Sequence, residues 1–148
     1  MIASRRTFVA ALACIALAQA AGSIAADDKA AQPSRKERVV IQVSDADPKK
    51  WHLALNNAKN IQADIGADQS EVEIVAYGPG IGILKADAEV ANRIEDAVAG
   101  GVKVMACENT MKAQKLSRGD MHKDIAYVAA GVVELMRRQQ QGWAYIRP

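Results

Sequence analysis

The 148-residue chain is short of the residues that most metal, redox and nucleotide chemistry requires. It has two cysteines and two histidines, Cys14, Cys107, His52 and His122, too few and too scattered for a metal-ligand cluster, so no metal is expected. It contains no P-loop and no serine in a nucleophile-elbow setting. Its nearest approach to a dinucleotide fingerprint, Gly80-Ile81-Gly82, lacks the third glycine and has Lys85 in that place, so no cofactor is expected. The apolar run Phe8 to Ala21 falls short of the ~20 residues that span a bilayer as a helix.

That run belongs to an export signal. Ser4-Arg5-Arg6-Thr7-Phe8 supplies a paired-arginine start, the uncharged stretch follows, and Ser23-Ile24-Ala25 has the small-x-small form that signal peptidase accepts. Cleavage is expected after Ala25, with Ala20 and Ala26 as alternatives. The start resembles the twin-arginine signal S-R-R-x-F, although Ala10 replaces the usual lysine. General secretory signals also carry arginine pairs, so both routes stay open, and both predict a periplasmic protein. Cys14 is read as filler of the apolar run, because Ala11 stands where a lipoprotein signal favours leucine and the run continues beyond the cysteine.

The chain therefore divides into a signal peptide over 1–25, a polar, alanine-rich disordered tether over 26–37, and one α/β domain over 38–148. Removing Arg5 and Arg6 from the 19 basic residues leaves 17, equal to the 17 acidic ones. A neutral mature chain offers no electrostatic footprint for nucleic acid and no polybasic patch for a membrane. The mature chain also keeps a single cysteine, Cys107, which excludes an internal disulfide. Its thiol is either buried, paired with another molecule, or chemically employed.

Continuous apolar runs predict strands buried on both faces: Val39–Val43, Val72–Tyr77, Val102–Ala106 and Ile125–Val128, with Trp143–Ile146 as a short edge strand. Helical spacing fills the intervals. Asp47-Pro48 caps a first helix that Gly66 stops, a second runs from Asp87 to Gly100, a short third from Asn109 to Leu116, and a fourth through Val132 to Gly142. Alternating strands and helices imply parallel crossovers, hence a three-layer sandwich around a mostly parallel sheet of about five strands.

In that arrangement Cys107 ends the third strand and precedes a helix N-terminus, where backbone N–H groups favour a thiolate. Glu108, its neighbour, opposes ionisation while also being a residue that could assist at the site. The loop Gly78-Pro79-Gly80-Ile81-Gly82 leaves the second strand at the same edge, so Gly78, Gly80 and Gly82 are candidate backbone donors to an anion, together with Asn109 and Thr110. A tight strand exit explains the same glycines without a ligand. His52, near the start of the first helix, faces the same edge and is a further assisting candidate. His122 is expected in a solvated loop at the opposite edge.

Three segments, Val104 to Met111 with its A-C-x-N-T-M core, Gly131-Val132-Val133-Glu134-Leu135, and Gly142-Trp143-Ala144-Tyr145-Ile146-Arg147-Pro148, resemble the DsrE/DsrF-like sulfur-relay family, as does Tyr77-Gly78-Pro79-Gly80. The resemblance implies a flavodoxin-like domain, a homo-oligomer (trimer or hexamer), and a persulfide-bearing cysteine that maps onto Cys107. The expected function is a periplasmic sulfur carrier or sulfurtransferase whose sulfane-sulfur donor and acceptor the sequence does not name. The alternative is a non-catalytic oligomeric scaffold with a buried structural cysteine. Thiol redox sensing would require a disulfide between chains, since no resolving cysteine exists.

Overall fold

A computed structural model describes residues 35–148. The expected signal peptide, Cys14 and the expected tether before Arg35 lie outside the described residues. Strand β1 (Glu37–Val43) leads into helix α1 (Pro48–Ile65), β2 (Ser70–Ala76), α2 (Ala91–Ala99), β3 (Lys103–Cys107), α3 (Glu108–Ala113), β4 (Ala126–Val128), α4 (Gly131–Gln140) and β5 (Ala144–Ile146). Two 3-10 helices, Gly78–Leu84 and Arg118–Asp120, join β2 to α2 and α3 to β4.

The five strands form one sheet in the order β4-β3-β2-β1-β5, and every pairing is parallel. From β1 to β4 the chain steps one strand at a time in one direction, so right-handed crossovers put α1, α2 and α3 on one face. The return from β4 to β5 crosses the whole sheet and puts α4 on the other. Side chains alternate accordingly. Val39, Ile41 and Val43 join Ile74, Leu55, Ile94 and Ile81 in the larger core, whereas Val40 and Val75 meet Leu135 and Trp143 in the smaller one.

Local chemistry explains the element ends. Asp47 accepts a hydrogen bond from the Lys49 N–H at 2.9 Å, and Pro48 occupies the first helical position of α1. Gly66 stops that helix at φ 98°, in the left-handed region.

Two expectations need correction. The second helix begins at Ala91, not Asp87, because no side chain caps it earlier and Ala86 turns its N–H to the Asp120 carbonyl. The glycine-proline segment is no open loop. It winds into a 3-10 helix whose Ile81, Ile83 and Leu84 are fully buried.

Candidate functional site

Cys107 closes β3 and caps α3 in one residue: its backbone is extended (φ −78°, ψ 112°) and its sulfur accepts the Thr110 N–H at 3.4 Å. Its strand partner across the sheet is Val128, the last residue of β4. Two residues beyond, Ala130 leads into α4, and the backbone N–H groups of Gly131 and Asn109 favour the anionic form of the sulfur. The Asn109 N–H additionally reaches the Ala129 carbonyl at 3.1 Å, which ties the head of α3 to the chain leaving β4. The thiol thus sits where the N-termini of α3 and α4 converge, one helix from each face of the sheet.

Burial pushes the Cys107 thiol up, but the Thr110 side chain and the backbone N–H groups of Gly131, Thr110 and Asn109 more than offset this. They hold the thiol below its ordinary value of 9.0. Glu108 does not counter them in the expected way. Its carboxylate lies 3.1 Å from an Arg118 nitrogen, and the same guanidinium stacks 4.3 Å from the centre of the Tyr127 ring. Cys107 as a whole is only 5% exposed.

The other expected residues divide. Asn109 and Thr110 are at the sulfur. Gly78 and Gly80 do not offer free donors: the Gly78 N–H donates to the Thr110 hydroxyl oxygen at 2.9 Å and the Gly80 N–H to the Tyr77 carbonyl at 3.1 Å. A side chain at Gly80 would collide with the Val43 carbonyl, and one at Gly82 would press on the Trp51 ring at 3.0 Å. Close packing is what these two glycines serve. His52 is not brought to the thiol; its ring nitrogens face Arg93 at 2.6 Å and Glu89 at 3.4 Å, on the exposed side of α1. His122 is buried and not solvated, its N–H donating to the Leu84 carbonyl at 2.8 Å and its Nδ1 accepting from Asp124.

Gly131 is the functional residue missed in the sequence. A Cβ there would stand 3.1 Å from Tyr77 Cβ, so glycine lets the head of α4 pack on Tyr77 and lie close to the sulfur. The signal was present, since any helix following β4 must begin at the sheet edge where β3 ends. Along the β4–α4 junction a shallow groove of about 370 Å³ is lined by Val128, Ala129, Ala130, Val133, Glu134 and Arg137. Among the described residues no three His, Cys, Asp or Glu side chains cluster as metal ligands would.

Fold and site together define an all-parallel α/β protein presenting one thiol to converging helix N-termini at the carboxyl edge of its sheet. The chain belongs to the DsrE/DsrF-like family, whose model matches residues 37–148. A structure of a protein of unknown function from Methanobacterium thermoautotrophicum is 34% identical, with a TM-score of 0.73 over 76% of this chain and 100% of its own. The ychN protein from E. coli (12% identity, TM-score 0.65, 76% of this chain and 99% of its own) shares the fold. So does a conserved protein of unknown function from Bacteroides thetaiotaomicron (12%, 0.63, 76% and 95%). No curated protein matches the chain.

Proposed function

We propose that the protein is a periplasmic sulfur carrier that holds a persulfide on Cys107. The observation that carries this reading is the set of backbone donors from two helix heads around one thiol, an arrangement suited to an anionic sulfur. In the proposed step the thiolate attacks the outer sulfur of a sulfane donor such as thiosulfate. A sulfur–sulfur bond forms to Cys107, the donor's own sulfur–sulfur bond breaks, and sulfite leaves with the bonding pair. An acceptor thiolate then removes the outer sulfur and returns Cys107 as thiolate. The groove at the β4–α4 junction is the proposed approach. The location rests on the leader sequence.

Protein incubated with thiosulfate or polysulfide should gain the mass of one sulfur atom on Cys107 and lose it to a reductant. No adduct on the wild type, or an equal one on Cys107→Ser, ends this reading. The 5% exposure of Cys107 favours a second reading, a scaffold with a structural cysteine. Under it the thiol reacts with an alkylating probe only after denaturation.

The carrier is further proposed to be a homo-oligomer. Val132 and Met136, one turn apart on α4, are 60% and 49% exposed, an apolar stripe that a second copy would cover. Sedimentation equilibrium should show the assembly and its loss in the double variant Val132→Glu, Met136→Glu. A monomeric wild type would dismiss it.

A further inference from the structure

We propose that Thr110 and Gln114 are positioning residues for the Cys107 sulfur, acting by clamping the backbone of Gly78 from both ends. This deepens the carrier reading and rests on Cys107 being the sulfur-bearing group.

Thr110, in α3, and Gln114, the residue that caps its C-terminus, lie one turn apart on the side that meets the exit of β2. Thr110 Oγ1 accepts the Gly78 N–H at 2.9 Å, and the Gln114 side-chain amide donates to the Gly78 carbonyl at 3.0 Å. Both polar groups of that one residue are thereby taken by α3. Gly78 turns them to the helix from φ 53°, a left-handed conformation that favours glycine. The Gln114 N–H closes on the Thr110 carbonyl at 2.9 Å, so the two clamp residues are also locked to each other.

A six-residue helix cannot fix its own orientation, because its few internal hydrogen bonds barely repay nucleation. Its direction must come from tertiary anchors. At the far end it stops at Lys115, the one non-glycine residue with positive φ (56°) among those described, so no continuing helix steadies it there. The anchors are the Met111 side chain buried in the larger core, the Asn109–Ala129 contact at the head and the Gly78 clamp along the side.

The clamp also acts on the hydroxyl rotor of Thr110. An incoming N–H occupies a lone pair of Oγ1 and forbids the hydroxyl proton from pointing at Gly78. The proton is left free to turn towards the sulfur, beside the Thr110 N–H already 3.4 Å from it. Gln114, though it touches no reacting atom, keeps Gly78 in place for this.

The test is thiolate absorbance against pH on the full chain in a Cys14→Ala background, where Cys107 is the single thiol. Thr110→Val removes both the donor to sulfur and the acceptor for Gly78, and should cut the thiolate fraction at neutral pH roughly ten-fold. Thr110→Ser should restore it. Gln114→Leu, at an exposed position that leaves the core intact, should cut it by about two- to three-fold. Unchanged ionisation in Thr110→Val and Gln114→Leu, or no rescue by serine, overturns the proposal. If Thr110→Val does not fold, Gln114→Leu decides alone. Shifted ionisation without any sulfur adduct would uphold the clamp and remove the carrier, whereas an adduct with unshifted ionisation would do the reverse.

Discussion

The two faces of the sheet are held to their helices by different physics. Under α1 and α2 the contact is apolar: Ile41, Ile74, Ile81, Ile83, Leu84 and Ile94 are all fully buried. Under α4 the apolar part shrinks to Val40, Val75, Leu135 and Trp143, and a charged cluster does the rest. Glu73, fully buried in β2, accepts the Arg138 Nε–H at 3.1 Å, and its second oxygen lies 2.7 Å from Arg138 Nη2. The same Arg138 Nε meets Glu134 at 2.8 Å, and the guanidinium sits 4.7 Å from the centre of the Trp143 ring. Apolar packing tolerates small slips, but a forked arginine on a buried carboxylate does not. The polar face therefore fixes where α4 begins, and α4 begins at the thiol.

That contrast can be broken by mutation. Ile74→Ala should cost about 4 kcal/mol, the transfer loss plus a cavity in a fully buried site, and no single partner change should recover it. Arg138→Met should cost about 3 kcal/mol, because it strands the Glu73 carboxylate in the interior. Combining Arg138→Met with Glu73→Leu should then return most of the loss. Urea unfolding of the four proteins checks both. If the double variant is no better than Arg138→Met, the charged cluster is not a replaceable lock and the comparison of faces fails.

The same division governs what the sequence reveals. Strands on the apolar face announce themselves as continuous Val and Ile runs, and all five strands stand within two residues of their expected bounds. Cys107 was legible because a strand-to-helix junction is a local pattern. The 3-10 helix was not, since Gly78, Pro79 and Gly80 read as a turn while their packing against Val43 and Ile81's burial are set by strands distant in sequence. Gly131 beside the sulfur is likewise a product of strand order, since β4 pairs with β3. Charged side chains such as Glu73 and Arg138 read as solvated until the topology buries them.

The smallest effect, and the finest test of the contrast, comes from pH. Two buried acids lie on or beside the α4 face, and their surroundings push them in opposite directions. Burial raises the Glu73 carboxyl above its ordinary 4.5 despite Arg138, while donors hold Cys107 below 9.0 despite burial. A raised acid binds its proton longer in the folded state, so its contribution to stability falls as pH rises from about 4.5 through the folded value. A depressed thiol does the opposite: its contribution is complete above 9.0 and is lost as pH falls through the folded value. Under reducing conditions the stability of the wild type relative to Cys107→Ser should therefore climb as pH rises towards 9.0 and then level, with a slope below about 1.4 kcal/mol per pH unit. Urea unfolding at stepped pH reads the difference. A flat or falling difference would mean that the two helix heads do not favour an anion at the sulfur, and the polar face would lose its link to the site.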